Sequence, residues 1–515
     1  MSARRDWILA AFAIVVIVAG SIALRWPGFT EGGFASHDVG GILYNAMLLD
    51  SGGLPYIDSV ELKAPGSFYL AWLLAGPESR DIARFQIWAN AWAIASLLAV
   101  AGIGGLLWGA RAAVIAAGIY ALGDAFLDSM DANYVTWAQL PQVLAMLGAF
   151  AAARSVGRRR LALWLLAGAL AGIATLFKRP AGAVLVVVAL FAVFGDPRRR
   201  IDLRALVAVA LGFVGAHLPI AAHYLAQGHL GGFIEGYLFN TWGARYIGRR
   251  AAALGVIGGV REAAMATVYF LALPLSLALW TGISKRNRSR HSALPWLWLW
   301  AVLTMLAAYL GLRFYKGYFV AVAPALALLA AAPGGLFGSR TGRDGLWARR
   351  LLRALGLGLA LVLAMRSAWL SKTLHDNRRR SHDRGARILA EHIAKGVLPG
   401  DRIWVWGWHL WDIYAFTGCL SGSTIYKSLG LLTPPNDDTW RTPASRLVIA
   451  EDDTYRRLLI EDLSATLPSY IALGSTVPRA QFPELRAFLR RNYVRDFGVR
   501  VGRVQVWRRR EAAGR

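Results

Sequence analysis

The densest chemistry in the chain follows its first long apolar run. The residues read Ser36-His37-Asp38-Val39-Gly40-Gly41, then Gly53-Leu54-Pro55-Tyr56-Ile57-Asp58, then Glu61-Leu62-Lys63-Ala64-Pro65-Gly66. Carboxylates, a histidine and a lysine thus stand just outside an apolar segment, at the depth of a charged lipid head group. A cation there suits phosphate oxygens, and a carboxylate suits removal of a proton from a hydroxyl. The connection 26–81 is far longer than most, and long connections are usually functional or disordered.

Within it Asp38 is the strongest candidate. It lies close to the apolar run, and its small neighbours Val39-Gly40-Gly41 leave room for a substrate. His37 reads as its neighbour rather than as a metal ligand. Asp50, Asp58, Glu78 and Asp81, each taken alone, read as solvated loop carboxylates; Asp58 and Glu61 stand next in line as a base. Other outward-expected groups are Asp124, Asp128 and Asp131, the turn Lys178-Arg179, the stretch holding Glu235, Arg245 and Tyr246, and Arg313-Phe314-Tyr315-Lys316. Ionisable groups near membrane depth are costly and suggest function. No His, Cys, Asp or Glu group has metal-ligand spacing. A divalent metal stays open but unindicated, and no cofactor is called for. No glycine-rich nucleotide loop is present; Gly258-Gly259 sits in an apolar context and is expected to serve close helix packing.

The elements that must position these groups are membrane helices. Of 515 residues, 56% are hydrophobic and 17% charged, and the mean hydropathy is +0.42. Runs such as 7–24 and 161–177 carry no charge and are long enough to cross a bilayer. Arg25-Trp26-Pro27 follows the first run without a small-residue cleavage site, so a retained helix is expected. About eleven spans are expected, centred near Val16, Ile94, Ala117, Leu147, Gly168, Val187, Leu211, Ala272, Leu303, Leu326 and Ala360. A formal net charge of +26 does not argue for nucleic acid, because the arginines cluster between apolar runs. Arg4-Arg5, Arg154 with Arg158-Arg159-Arg160, Arg198-Arg199-Arg200 with Arg204, Lys285 to Arg290, and Arg340 to Arg350 all fall on one side. That side is expected to be cytoplasmic. The connection 26–81 and everything after about residue 371 then face out. Lys178-Arg179 runs against this trend in a very short turn. The single cysteine, Cys419, excludes an intrachain disulfide framework.

The division expected is a transmembrane part, 1–370, and an extracytoplasmic α/β domain, 371–515. In the latter, 383–396 reads as an amphipathic helix, 482–492 as a helix, and 402–406, 446–449, 470–473 and 501–507 as extended runs. Trp404, Trp406, Trp408 and Trp411 are expected to bury against the membrane surface or the first loop.

On these residues the chain resembles the GT-C superfamily of membrane glycosyltransferases. It is similar more narrowly to glycosyltransferase family 39 and its bacterial relatives, the protein O-mannosyltransferases and lipid A aminoarabinose transferases. The likeness lies in Asp38 after the first span, the turn Gly53 to Asp58, and Lys63-Ala64-Pro65 leading into Phe68-Tyr69-Leu70. It extends to Phe314-Tyr315-Lys316-Gly317-Tyr318-Phe319 before Pro324, and to Pro399 through Gly407 with Tyr414, Thr417 and Gly418. The resemblance implies a polytopic α-helical fold and transfer of a sugar, with inversion, from a polyprenyl-phosphate donor at the outer face of a bacterial-type inner membrane. It implies Asp38 as the catalytic base and Lys63, Lys178 and Arg179 as donor-phosphate ligands, with Arg245 and Lys316 behind them. His37, Asp58, Glu61 and Tyr315 are further candidates. The expected partners are the lipid-linked donor, membrane lipids, and a protein, lipid or glycan acceptor, with no nucleic acid. Two other classes stay open: a transporter or lipid-linked-sugar flippase, and a non-catalytic assembly protein whose tail docks partners. A transporter would hold charges at mid-membrane and show repeat symmetry; neither is evident here.

Overall fold

The structure is a computed structural model that describes residues 2–30, 37–127, 129–195, 201–239, 241–283, 293–333, 384–407, 410–427, 431–433, 453–474 and 478–510, and isolated positions within 358–372. It divides into two compact units. One comprises Met1–Thr30, Gln86–Ala222 and Val256–His375; the other comprises Glu31–Phe85, His223–Gly255 and Asp376–Arg515.

The first unit is helical. Every expected span centre from Val16 to Leu326 falls inside a helix, and Ala360 lies outside the described residues. Among the described residues, 6 helices are long and apolar enough to cross a membrane: Arg4–Leu24, Ile82–Trp108, Tyr134–Ala153, Gly157–Phe177, Leu203–Ala226 and Leu254–Leu271. The other centres lie in other helical segments, such as Ala110–Phe126 and Leu294–Tyr309. Helix Leu203–Ala226 shows why a bilayer is required. Leu203, Val207, Leu211, Val214, Leu218 and Leu225 form an exposed apolar stripe at helical spacing, while Ala205 and Val209 are buried. A helix apolar on both faces has no place at a water surface.

Small residues set the helix spacing. A Cβ on Gly212 would collide with the backbone of Leu165 and Ala169, and one on Gly168 with that of Val209. Helices Gly157–Phe177 and Leu203–Ala226 therefore meet backbone to backbone, as small residues allow in membranes. Gly259, expected to serve such packing, does not: a Cβ there meets nothing within 4 Å. Arg25, fully buried at the end of the first helix, pairs with Asp124 and donates to the Ser129 carbonyl (2.8 Å) and to Asn90 Oδ1 (3.3 Å). Asp124 is therefore engaged inside the unit. Arg160 pairs with Asp202 at 2.9 Å, so the basic turns near 158–160 and 201–204 lie at one end of the helices.

The second unit is built on a mixed sheet. Its strands are β1 (Arg402–Trp406), β2 (Leu420–Ser421), β3 (Tyr470–Leu473), β4 (Tyr493–Asp496) and β5 (Gln505–Arg509), in the order β2-β1-β3-β5-β4. β1 runs parallel to β2 and β3; β5 is antiparallel to β3 and β4. The register puts Ile403 opposite Tyr470 and Trp406 opposite Leu473. Side chains alternate across a strand. Ile403 and Val405 therefore enter one core, with Leu389 and Ile393, while Trp404 and Trp406 enter another, with Leu459, Leu463, Leu485 and Leu489. Helix Arg384–Ala394 covers the first face through Ala386, Leu389, Ala390 and Ile393, spaced i, i+3, i+4, i+7. Trp404 and Trp406 thus fill the domain's own core, against which Val60 of the first connection also packs; Trp411 is also buried, and Trp408 lies outside the described residues. The expected run 446–449 also lies outside them. The last strand starts at Gln505 rather than 501, because Gly502 takes a left-handed turn (φ 53°).

Gly212→Val should force the two helix backbones apart, at a cost of about 1–3 kcal/mol, and lower the melting temperature in detergent. Gly259→Ala should leave it unchanged. Equal melting temperatures for Gly212→Val and wild type would remove the close-packing account.

Candidate active site

In the second unit the first connection folds onto strands and turns of the C-terminal region. Helix His37–Asp50 carries Asp38 in its first turn and is buried along most of its length. Tyr44 from this helix stacks on Tyr426 (centroids 4.0 Å, interplanar 12°). The turn that follows is closed by Asp58, whose Oδ2 accepts the Leu54 N–H (2.7 Å). Tyr56 there adopts a left-handed backbone (φ 69°), and its hydroxyl donates to the Lys63 carbonyl (2.5 Å). Such strain persists only where the surroundings hold it. The Val60 N–H donates to the Thr424 carbonyl (2.8 Å), and helix Gly66–Leu74 then begins behind Pro65.

Two charge pairs result. Lys63 Nζ lies 3.5 Å from Asp38 Oδ1, with side chains 32% and 38% exposed, so solvent and ligands reach both. Glu61 is buried beside them. Its Oε2 accepts Lys427 Nζ and the Tyr426 hydroxyl, each at 2.5 Å, and Asn45 Nδ2 at 3.3 Å. Its Oε1 accepts the N–H groups of Leu62 (2.7 Å) and Lys63 (3.1 Å). Burial alone would raise the Glu61 carboxyl pKa; the Lys427 charge and these hydrogen bonds outweigh it and hold the pKa below the ordinary carboxylate value. Burial pulls the Lys427 ammonium down, with the Glu61 charge opposing it. Glu61 is thus a saturated anchor, with its oxygens occupied by five donors.

Gly40 and Gly41 have a reason other than substrate access. A Cβ on Gly41 would lie 3.1 Å from the Tyr426 hydroxyl and 3.7 Å from Lys427 Nζ, and one on Gly40 would meet Asp412 Oδ1 at 2.5 Å. The small residues let the C-terminal region approach.

In the first unit Lys178 follows helix Gly157–Phe177 in an extended conformation and opens the short turn Arg179–Gly182. Its Nζ sits 3.8 Å over the Tyr318 ring, a cation–π contact. Tyr318 belongs to the turn Lys316–Ala321, which is pinned by Gln139 Nε2 to the Val320 carbonyl (3.0 Å) and Gln142 Nε2 to the Ala321 carbonyl (2.9 Å). The Tyr315 and Tyr318 rings lie 5.8 Å apart. Lys178 is therefore brought to the segment that starts with Tyr315 and Lys316, and Arg179 is half-buried beside it in sequence. Leu312 and Phe314, flanking Arg313, have left-handed backbones (φ 49° and 51°). The side chains of His37 and Arg245, and Asp128 and Glu31, lie outside the described residues. Among the described residues no group of three or more His, Cys, Asp or Glu is placed to hold a metal ion.

Lys427, Tyr426 and Asn45 were not singled out by sequence reasoning. One signal was present: lysine is scarce in this arginine-rich chain, and Lys427 stands directly after Tyr426.

The depressed Glu61 pKa makes its contribution to stability fully present above the ordinary glutamate value of 4.5, and lost as pH falls through the lower folded value. Glu61→Gln should flatten the acid limb of a melting-temperature profile. Parallel acid limbs in variant and wild type would show that Glu61 is not held ionised by folding.

Residues 63–223 match the family model described as dolichyl-phosphate-mannose-protein mannosyltransferase. The matched stretch includes Lys63, Lys178 and Arg179 and stops short of Asp38. No curated protein sequence matches the chain. Among solved structures, ArnT from Cupriavidus metallidurans bound to undecaprenyl phosphate is similar at TM-score 0.58 and 14% identity, over 96% of this chain and 97% of that one. The Archaeoglobus fulgidus oligosaccharyltransferase tethered with an acceptor peptide is similar at TM-score 0.54 and 14% identity, over 98% of this chain and 74% of that one. The archaeal oligosaccharyltransferase AglB of the same organism, in complex with an inhibitory peptide and a dolichol-phosphate, gives 0.51 at 14%, over 90% and 69%. At 14% identity these likenesses concern the fold: the chain shares the fold of ArnT and of the Archaeoglobus fulgidus oligosaccharyltransferase.

Proposed function

We propose that this chain is an inverting glycosyltransferase that moves a sugar from a polyprenyl-phosphate donor to an acceptor hydroxyl on the outer face of a bacterial-type inner membrane, with the N-terminus inside and the C-terminal region outside. The observation that carries the reading is the Asp38–Lys63 pair, a carboxylate and an ammonium 3.5 Å apart and both reachable. The fold likeness to a structure described as bound to undecaprenyl phosphate, and the family model that begins at Lys63, support it.

In this reading Asp38 removes the proton from the acceptor hydroxyl as that oxygen bonds to the anomeric carbon. The bond from that carbon to the phosphate oxygen breaks on the opposite side, and polyprenyl phosphate leaves with the electron pair. Lys63 stabilises the departing phosphate as a point charge, where charge develops in the transition state. Attack and departure on opposite faces invert the centre. Lys178 and Arg179, and after them Arg245 and Lys316, stay candidates for the donor phosphate; His37, Asp58 and Tyr315 stay candidates for contacts to sugar or acceptor. Glu61 serves the site through the loop. Unchanged donor affinity in both Lys178→Ala and Arg179→Ala would remove those two from phosphate binding.

Asp38→Asn keeps shape and hydrogen bonding and cannot take the proton. Purified wild type should release sugar from a radiolabelled polyprenyl-phosphate donor, and Asp38→Asn should turn over about 10²–10⁴-fold more slowly with donor affinity within a few-fold. Turnover by Asp38→Asn above about a third of wild type, far short of that range, would put the base elsewhere.

A further inference from the structure

The peptide that carries Lys63 is fixed on both sides. Its N–H donates to Glu61 Oε1 at 3.1 Å, and its carbonyl accepts the Tyr56 hydroxyl at 2.5 Å. The Leu62 N–H donates to the same Glu61 oxygen at 2.7 Å. As a carboxylate, Glu61 can act in this way only with its charge balanced, because an unpaired charge is not tolerated in a buried site. The balance comes from Lys427, whose ammonium meets Glu61 Oε2 at 2.5 Å with side chains 10% and 0% exposed. Tyr426 adds a second donor to that oxygen, and Asn45 a third. The segment bearing both residues is aligned with the loop by the backbone bond from Val60 to the Thr424 carbonyl.

We propose that Lys427 is a positioning residue for Lys63, acting through Glu61. Its charge keeps the carboxylate ionised and clamped on the Leu62 and Lys63 amides. The clamp sets the Lys63 backbone so that its ammonium stands beside Asp38. Lys427 is not itself placed to receive a ligand: its ammonium is engaged by Glu61 and nearly buried, whereas Lys63 is about a third exposed. The consequence for donor binding rests on the proposed reading of Lys63 as a phosphate ligand; the clamp on the loop does not.

The test uses the full chain in detergent, with two readouts. One is amide hydrogen exchange over the peptide 59–66; the other is the apparent Kd for undecaprenyl phosphate. Lys427→Met leaves Glu61 without its cation, and exchange in that peptide should rise roughly ten-fold, with the Kd weakened roughly ten-fold. Glu61→Gln/Lys427→Met should recover most of both, since a neutral amide oxygen accepts the same two N–H groups and needs no cation. His392→Ala, which breaks the 2.9 Å pair with Asp496 elsewhere in the same unit, should change neither. If Lys427→Met does not fold, recovery of folding, protection and affinity in the double variant supports the proposal, and failure of the double variant to recover overturns it. Unchanged exchange in Lys427→Met, or a double variant as unprotected as the single one, overturns it. Lost protection with unchanged Kd overturns the link to the donor. A wild type with no affinity for undecaprenyl phosphate sinks the function reading instead, and exchange still decides the clamp.

Discussion

The second unit depends on one buried carboxylate. Glu61 sits where the first connection meets the C-terminal region, and a lone carboxylate there would cost several kcal/mol. Lys427, Tyr426 and Asn45 satisfy one of its oxygens, and the loop's own amides satisfy the other. Five donors on one side chain convert a flexible connection into a fixed one. The partners come from positions 45, 62, 63, 426 and 427, so segments far apart in sequence are tied through a single group. Such a network resists partial replacement, because removing any one strong donor leaves charge or polarity buried. Stability near Glu61 and the placement of Lys63 are therefore one property.

A different constraint rules the helical unit. Apolar residues on every face of a helix would be a fault in water; here they mark contact with lipid on one side and with protein on the other. Attraction between such helices comes from close packing, and the glycines at 168 and 212 supply it by letting backbones touch. Polar groups inside this unit are correspondingly paired: Arg25 with Asp124, and Arg160 with Asp202. Lys178 lies over the Tyr318 ring at the end of its helix, a cation–π contact between two segments of this unit.

Much of this was legible in the residues. Helix positions followed from charge-free runs, since an apolar run of that length crosses a bilayer with its backbone groups paired inside a helix. The strands 402–406 and 470–473 and the helix near 384–394 followed from composition and spacing. What was not legible depends on tertiary partners. Glu61 reads in sequence as a reserve base behind Asp38, and its burial against Lys427 turns it into an anchor while Asp38 stays reachable. Gly40-Gly41 reads as open space and proves to be a seat for Tyr426 and Asp412. Trp404 and Trp406 read as burying against the membrane surface or the first loop; strand alternation turns both into a core with helix Thr454–Thr466, which no strong apolar period announces, and Val60 of the first loop packs against it. Asp124 reads as an outward acid, and a single arginine at position 25 claims it.

The central claim is that the Asp38–Lys63 pair marks where the donor phosphate and the acceptor meet. The most direct measurement is an experimental structure of the wild-type chain with undecaprenyl phosphate bound. The account predicts a phosphate oxygen at charge-assisted hydrogen-bond distance from Lys63 Nζ, about 2.7–2.9 Å, with Asp38 freed from that ammonium and open to the side where an acceptor would approach. A phosphate bound away from Lys63, with the Asp38–Lys63 pair intact, would contradict it.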